Sequence, residues 1–138
     1  MTSGLEGIKV VDLSQVAAAP MAARHLADFG ADVIHVENPA RGDSWRRLRR
    51  VVPGRGEVEG NPRWENFNRN KRSLALNLAQ KRGQEIVYKL VEKADVFLSS
   101  TRAFQLKRFN LDYDSPSFFA LLHKAQNTIY TTIIDELE

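Results

Sequence analysis

The spacing of apolar residues changes twice in the first quarter of the chain, and it predicts a strand, a helix and a second strand. Residues 8–13 form a short apolar run, which is typical of a strand buried on both faces. Pro20 suits the first position of a helix, apolar residues then recur at helical spacing, and Gly30 is a helix stop. Residues 31–36 are the second strand. Ligands of such a βαβ unit usually bind at the carboxyl ends of the strands, which places them here at residues 15–20.

From residue 38 to residue 70 the apolar periodicity is lost, and prolines and glycines interrupt the chain repeatedly. An irregular stretch of this length inside a compact domain is uncommon, and it is usually functional or mobile. Residues 44–50 predict one or two helical turns within it. We expect Trp64 and Phe67 to anchor its far end against the body of the protein.

Regular periodicity returns at residue 73 and predicts three further strands, which alternate with helices. The strands are expected at residues 73–78, 94–99 and 128–134. Strands that alternate with helices are typical of α/β proteins, so the sequence predicts a Rossmann-like, open and mainly parallel sheet with helices on both faces. A chain of 138 residues is long enough for one core, and we expect residues 1–138 to form a single domain.

Local signals predict details of the later helices. Gly83 indicates close packing of a helix on the sheet, and Asn77 or a near neighbour is the expected cap of that helix. Asn110 is expected to end a short helix at residues 104–109 in the left-handed conformation, and Pro116 begins the next helix. We expect the apolar side chains of this last helix to be buried, namely Phe118, Phe119, Leu121 and Leu122.

Composition narrows the class of protein. The hydrophobic fraction of 43% is that of a globular chain and excludes a disordered one. The absence of cysteine excludes disulfides, thiolate catalysis and cysteine-based zinc sites. No apolar run approaches the length of a membrane span, and no signal-peptide pattern is present. We therefore expect a cytoplasmic protein that has no membrane partner.

Charge is distributed unevenly along the chain. Residues 41–72 contain ten Arg or Lys and four acidic residues, about +6, whereas the whole chain has 20 basic and 17 acidic residues. The rest of the chain therefore carries about −3. We interpret residues 38–72 as a long basic loop that favours a phosphate-bearing partner, and a solvated basic loop is the alternative interpretation.

Candidate chemistry is sparse when residues are considered one by one. The dinucleotide fingerprint G-x-G-x-x-G and the Walker loop are both absent, which argues against NAD and P-loop nucleotide sites. His25, His35 and His123 are isolated, no pair has metal-ligand spacing, and we expect no metal. Structural or surface roles are the simplest interpretation for these histidines. Asp12, at the end of the first strand, is a better candidate for a site, although a turn or capping role is the simpler interpretation.

Several motifs nevertheless follow one another in an order that is typical of one protein family. Residues 7–37 begin with GIKVVDLSQVAAAP, residues 39–46 fit P-x-x-G-D-x-x-R, and residues 68–73 fit N-x-N-K-R-S. Gly83, the segment Ala94-Asp95-Val96 and residues 106–113, LKRFNLDY, complete the series. On these motifs nearly the whole chain resembles the class III CoA-transferases, the CaiB/BaiF family.

The resemblance implies an enzyme that acts on CoA thioesters, with coenzyme A or acyl-CoA as the bound molecule. Members of this family move CoA between carboxylic acids, or racemise or isomerise acyl-CoA substrates. In the transferases an aspartate attacks the acyl-CoA and forms a mixed anhydride and then an enzyme–CoA thioester. The N-terminal α/β domain holds the CoA nucleotide, and two subunits interlock. The resemblance therefore implies self-association, or a second half of the protein, as a partner.

Carried over by position, the resemblance implies eight CoA-binding residues in this chain. The small or apolar ones would let the ligand approach the backbone, and the basic ones would face the adenine and phosphate end. A solvated basic edge is the alternative for the lysine and the arginines. The eight residues are Val16, Ala17, Ala18, Phe67, Asn70, Lys71, Arg72 and Arg108.

The chain also departs from the family pattern. The catalytic aspartate of the family lies beyond the strand at residues 128–134, so the resemblance implies no catalytic residue here, and Asp135 is not in the position of the nucleophile. Residues 100–104, STRAF, replace the Asn-x-x-Pro-Gly of the family, which weakens the CoA contact expected at Ser100. We therefore expect an expressed N-terminal fragment, or a truncated or split homologue, and no turnover by this chain alone. A cloning scar at Leu137-Glu138 would favour the fragment.

A second hypothesis is a non-catalytic module that kept the fold and binds a nucleotide, or RNA through residues 41–72. RNA-binding surfaces usually combine basic residues with aromatic side chains that stack on bases. Only Trp45 and Trp64 accompany the basic residues here, so we do not expect a nucleic-acid partner.

Overall fold

The computed structural model describes residues 3–47, 51–52, 56–57, 61–124 and 129–132, with side chains for residues 3–47 and 61–120. In chain order the elements are β1 (Lys9–Leu13), α1 (Ala18–Asp28), β2 (Asp32–Glu37), a 3-10 helix (Ser44–Arg47), β3 (Val51–Val52), β4 (Gly56–Glu57), α2 (Pro62–Asn68), β5 (Arg72–Ala75), α3 (Lys81–Val91), β6 (Val96–Ser99), α4 (Ala103–Arg108), α5 (Pro116–Lys124) and β7 (Ile129–Thr132). None of the helices in this described part of the chain has the length and apolar character needed to cross a membrane.

The main sheet has five strands in the order β5-β2-β1-β6-β7, and all of its pairings are parallel. The chain adds β2 and β5 on one side of β1, and then adds β6 and β7 on the other side. The winding direction therefore reverses between β1 and β6, and the crevice at their carboxyl ends is where ligands of open α/β sheets usually bind. The predicted Rossmann-like α/β fold is confirmed, while β3 and β4 form a separate antiparallel pair.

The alternation of side chains along β1 divides the core into two layers. Val10 faces α1 and belongs to a cluster of small and branched side chains with Ala23 and Val33. Val11 and Leu13 face the opposite side, where α3, α4 and α5 pack against the sheet. Asp12 therefore lies on the same side of β1 as Val10, the side that faces α1, and it is fully buried. A charged residue in this position requires partners, and they form the candidate site described below.

The structure corrects two predictions about helix starts. Helix α1 begins at Ala18, so Pro20 is its third residue and not its first, a position that still lies within the first turn, where the backbone N–H groups have no intrahelical acceptor. Helix α2 lies within the segment that was predicted to be irregular apart from helical turns at residues 44–50, where the structure has the 3-10 helix Ser44–Arg47. Its signals are short and local, because Asn61 caps the helix by accepting a hydrogen bond from Trp64 N and Pro62 follows at the first helical position.

Other local predictions divide between confirmed and wrong. Asn110 has φ +56° and ends α4 as predicted. Asn77 does not cap α3, because that helix begins at Lys81, and the Asn77 Oδ1 atom instead accepts a hydrogen bond from Ala79 N in the preceding turn. Phe118 is buried, but Phe119 is 39% exposed and packs edge-on against an exposed tyrosine. The side chains of Leu121 and Leu122, and all of Asp135, lie outside the described residues.

We predict that Gly83→Ala destabilises the protein although alanine is the better helix former. A Cβ at residue 83 would lie 2.8 Å from the Asn77 carbonyl carbon and nearer still to its oxygen, which is backbone and cannot rotate away. The clash should outweigh the helix-propensity gain of about 1 kcal/mol and leave a net loss of about 1–2 kcal/mol in the free energy of unfolding. Urea denaturation would measure it. Arg82→Ala, on the exposed side of the same helix, is the control, and a Gly83→Ala protein as stable as that control would contradict the close approach.

Candidate functional site

The turn between β1 and α1 lies at the carboxyl end of β1, next to the point where the sheet reverses its winding. Three successive backbone N–H groups in this turn donate hydrogen bonds to side-chain oxygens instead of backbone carbonyls. The three bonds are Ser14 N to Asp12 Oδ1 (3.0 Å), Gln15 N to Ser100 Oγ (3.0 Å) and Val16 N to Asp43 Oδ2 (2.9 Å). The turn is thus held by β1 itself, by the loop after β6 and by the loop after β2.

Val16 adopts a backbone conformation that valine normally avoids. Its φ is +72°, in the left-handed region, and its side chain is 43% exposed. A β-branched residue with positive φ is a genuine outlier, and the left-handed conformation costs about 1–2 kcal/mol for a residue with a Cβ. Backbone strain of this kind persists only where surrounding contacts hold it, and it is concentrated at functional sites.

At the start of α1 the chain reaches the surface at Ala17 and Ala18, whereas Ala19 is fully buried. Ala17, Ala18 and Ala19 have no hydrogen-bond acceptor for their N–H groups among the described residues, and Pro20 has no N–H. No side chain caps the helix, and its first turn contains no acidic residue. The positive end of the helix dipole therefore lies behind side chains no larger than a methyl group. This arrangement can accept an anionic group such as a phosphate.

A network of charged side chains lies behind this turn, on the α1 side of the sheet. Asp12 Oδ2 accepts hydrogen bonds from His35 Nδ1 and from Lys71 Nζ, both at 2.9 Å. The other ring nitrogen of His35, Nε2, donates to Glu37 Oε1 at 3.2 Å. Arg46 Nε in turn donates to both Glu37 oxygens, at 3.0 and 2.8 Å. All but the arginine are at most 9% exposed at their side chains, so these contacts form a buried chain of alternating charges.

The geometry assigns a positive charge to His35. Carboxylate oxygens can only accept hydrogen bonds, so both ring nitrogens must carry protons. Burial by itself would lower the pKa of His35, but the hydrogen bonds to Asp12 and Glu37 outweigh burial and raise the pKa to about 9. Burial by itself would raise the pKa of the Asp12 and Glu37 carboxylates. The same contacts nevertheless lower the pKa of Asp12, and with the help of Arg46 they lower the pKa of Glu37 to about 2.

Lys71 is part of this buried chain and not of the protein surface. Its side chain is 1% exposed, and its Nζ atom donates to Asp12 and, at 2.9 Å, to Asn68 Oδ1. Burial lowers the pKa of Lys71, and the attraction of Asp12 offsets only part of that effect. Asn68 Nδ2 donates in turn to the carbonyl of Trp64 at 3.0 Å, which orients the amide oxygen toward the lysine.

Aromatic side chains cover the outer end of the network. The Arg46 guanidinium lies 3.4 Å from the centroid of the Trp64 ring, and Trp64 Nε1 donates to Glu37 Oε1 at 3.3 Å. Trp45 and Phe67 meet edge to face with their centroids 4.7 Å apart. These contacts join the 3-10 helix to α2. They confirm the predicted anchoring for Trp64, which bonds to Glu37 of β2, whereas Phe67 packs on Trp45 within the same segment.

The structure brings some of the eight predicted CoA-binding residues together and separates others. Val16, Ala17 and Ala18 form one exposed or half-exposed stretch at the carboxyl edge of the sheet. Phe67 packs on Trp45, and Lys71 reaches the turn only from behind, through Asp12.

The remaining three predicted residues lie away from this stretch. Asn70 donates to Asp28 Oδ1 at 2.8 Å, near the end of α1. Arg72 donates to both oxygens of Asp32, at 3.1 and 2.9 Å, and Asp32 begins β2 at the amino edge of the sheet. Arg108 is exposed on α4, the helix that packs on the opposite face from Asp12.

Sequence reasoning missed the roles of Asp43, His35 and Glu37. A signal for the latter two was present, because a histidine and a glutamate at alternate positions of an apolar strand must share one face, and Asp12 interrupts the neighbouring strand in the same way. For Asp43 the only signal was its place in the G-D-x-x-R motif. Asp12 has the predicted turn role, through Ser14 N, and a second role as the centre of the charge network.

Comparison with known proteins gives consistent matches. The sequence profile of the family described as CoA-transferase family III matches residues 5–118. Over 110 residues the chain is 39% identical to (R)-2-hydroxy-4-methylpentanoate CoA-transferase of Clostridioides difficile, a match that covers 80% of this chain and 27% of that protein.

Solved structures give the same result. The crystal structure of Rv3272 from M. tuberculosis aligns with a TM-score of 0.83 and 30% identity, over 96% of this chain and 35% of that one. A CaiB/BaiF family protein from Brucella suis aligns with a TM-score of 0.76 and 33% identity, over 94% of this chain and 33% of that one. The chain thus spans about a quarter to a third of the length of the proteins it matches.

The charge on His35 predicts how stability changes with pH. Because the folded pKa of about 9 lies above the ordinary value of 6.5, the contribution of His35 is complete below pH 6.5 and is lost as the pH rises through 9. The loss in the free energy of unfolding should be on the order of 3 kcal/mol. Urea denaturation between pH 6 and pH 9.5 would measure it.

Two variants identify the titrating group. The His35→Gln protein should lack this decline, whereas His25→Gln, which changes an exposed histidine on α1, should retain it. A decline of the same size in His35→Gln would show that another group is responsible.

Proposed function

The chain belongs to CoA-transferase family III, and on this premise we propose that it forms the CoA-binding part of a CoA-transferase, with the β1–α1 turn as the contact for the CoA nucleotide. The observation that carries the proposal is the uncapped start of α1. At the position where an open α/β sheet usually binds its ligand, the N–H groups of Ala17 and Ala18 have no acceptor among the described residues, and the first turn of α1 contains no acidic residue. The nearest carboxylates, those of Asp12 and Asp43, already accept hydrogen bonds from Ser14 N and Val16 N.

The chemistry of CoA agrees with this site. Its nucleotide end is polyanionic, and a helix N-terminus offers N–H donors and a partial positive charge to a phosphate. Small side chains at Ala17 and Ala18 let a ligand approach the backbone, which a larger residue would block. The turn is also held in place before any ligand arrives, so binding would not have to order it.

The three basic residues implied by the resemblance differ in how many existing contacts each would have to break in order to bind CoA. Lys71 would have to leave Asp12 and Asn68 to reach a phosphate, and Asp12 would then remain buried with one partner fewer. Arg108 is exposed and needs no such exchange. Arg72 would have to give up its paired contact with Asp32. We therefore propose Arg108 as the first of the three to test.

The proposal for this sequence concerns binding and not turnover. In the whole protein we propose transfer of CoA between carboxylic acids through an aspartyl nucleophile, a step that divides acyl transfer into two easier ones. None of the eight proposed binding residues is a carboxylate. The whole protein would determine which acids react, whether it acts as a racemase in place of a transferase, and whether it self-associates.

An RNA-binding function has less support from the structure. The Arg46 guanidinium stacks on one face of Trp64, and Trp45 packs edge to face with Phe67, so both rings already have a partner within the protein that a stacked base would have to compete with or avoid.

We predict that Ala18→Asp weakens CoA binding at least about tenfold, because a carboxylate in the first turn of α1 would repel the phosphates. The same charge should not destabilise the fold, since acidic residues favour helix N-termini. Ala18→Asn, which has the same size without the charge, is the control for steric effects. Isothermal titration calorimetry with CoA would measure the affinities. If the wild-type chain binds CoA and both variants bind it equally well, the ligand does not lie at this helix terminus.

We also predict that Arg108→Ala weakens CoA binding by roughly threefold to tenfold, the usual effect of losing one partly exposed phosphate contact. Lys107→Ala removes the same charge from the neighbouring exposed position of α4 and should leave the affinity unchanged. Equal losses in the two variants would indicate a general electrostatic effect in place of a specific contact.

A further inference from the structure

We propose that Asp43 is a positioning residue that holds Val16 in its left-handed conformation and thereby keeps the open N–H groups of α1 directed toward the ligand. This inference rests on the proposed function, because it deepens the account of the same CoA contact. It assigns to Asp43 a role through the backbone of the turn and not through contact with CoA.

The Asp43 carboxylate connects two segments of backbone through hydrogen bonds. Its side chain is 1% exposed, and its two oxygens bind the backbone of two different segments. Oδ2 accepts from Val16 N at 2.9 Å, and Oδ1 accepts from Trp45 N at 2.7 Å. The second bond places Asp43 at the start of the 3-10 helix, so one carboxylate ties the β1–α1 turn to a segment 27 residues further along the chain.

Asp43 is itself held in place from both sides. Before it, Asn38 Oδ1 accepts from Ala40 N at 2.9 Å and from Arg41 N at 3.2 Å, and Gly42 N donates to the Asn38 carbonyl at 2.8 Å. Gly42 has φ +60°, a conformation that glycine adopts without steric cost and that turns the chain toward Asp43. This part of the loop is therefore closed by its own hydrogen bonds.

After Asp43 the same loop is fastened to the sheet. Arg46 bonds to both oxygens of Glu37, the last residue of β2, and Arg46 N also donates to the Asp43 carbonyl at 3.1 Å. The position of the Asp43 carboxylate is thus fixed relative to β2, and through β2 relative to β1. A group with a fixed position can hold a strained neighbour, whereas a side chain on a mobile loop would relax with it.

The strain at Val16 is what requires such a clamp. Without Asp43, the Val16 N–H would lose its acceptor, and relief of the steric strain would favour the return of Val16 to an ordinary conformation. Rotation at Val16 would redirect Ala17 and Ala18, which follow directly. Ser100 holds the preceding N–H, that of Gln15, from the β6 side, so it does not fix the φ angle of Val16 itself.

The experiment combines a binding measurement with a measurement on the ligand-free chain. Asp43→Ala and Asp43→Asn would be compared with the wild type by CoA calorimetry and by NMR measurement of the exchange rate of the Val16 amide hydrogen. The asparagine variant keeps one acceptor oxygen, and it serves if the alanine variant does not fold. Asp95→Ala is the matched control, because Asp95 Oδ2 also accepts a backbone N–H of β1, that of Lys9 at 2.8 Å, but at the amino end of the strand.

We expect Asp43→Ala to weaken CoA binding about tenfold and to raise the exchange rate of the Val16 amide about tenfold, while Asp95→Ala changes neither. Val16→Gly provides the readout that a merely structural role would not move. Because glycine adopts positive φ freely, loss of Asp43 should reduce affinity much less in the Val16→Gly background than in the wild type.

The other outcomes overturn the inference. Wild-type affinity in Asp43→Ala, equal losses in Asp43→Ala and Asp95→Ala, or an equal loss with and without Val16→Gly would each remove Asp43 from this role. If the wild-type chain does not bind CoA, the proposed function fails for this chain alone. The exchange rate then decides separately whether Asp43 holds the turn, since an unchanged Val16 amide in Asp43→Ala would refute it.

Discussion

The architecture around the candidate site depends on one buried carboxylate, that of Asp12. Burial of an isolated charge costs several kcal/mol, so a carboxylate with no exposed surface persists only with paired and hydrogen-bonded partners. One partner, His35, comes from the neighbouring strand, and the other, Lys71, comes from the connection before β5. To supply that lysine, residues 61–71 lie on the α1 side of the sheet. The helix α2, which this segment contains, packs against α1 as a result.

The turn between β1 and α1 is tight although it lacks the glycines that Rossmann-type turns usually contain. Glycine would allow positive φ at no cost, whereas here Val16 adopts it under constraint. Side-chain oxygens of Asp12, Ser100 and Asp43 accept from the three N–H groups of the turn and supply that constraint. Asp12 also belongs to the charge network, so this residue joins the turn to the network behind it. Ser100 and Asp43 are distant from the turn in the sequence, and the fold brings them to it.

Elements with strong periodicity were predictable, whereas short elements and contacts were not. The strands β1, β2 and β6 lie within one or two residues of their predicted positions, since long apolar runs and turn residues delimit them. The helix α2 has only seven residues, too few for a periodic stripe, and its cap and proline follow a stretch rich in glycine that is typical of a loop. Within the site, Val16, Ala17 and Ala18 were predicted from a resemblance, and the structure places them at the carboxyl edge of β1.

The sequence by itself determined the order of the five main strands along the chain, the α/β class, and the small residues at the first turn, because these follow from local periodicity and local backbone preference. Only the tertiary structure decided which charges meet. His35 lies 23 residues from Asp12 and Lys71 lies 59 residues away, and both bond to the same oxygen. The register of β1 with β2 sets His35 directly beside Asp12, and the connection before β5 brings Lys71 to the same carboxylate. Neither contact follows from local sequence, because each depends on how distant segments align in the sheet.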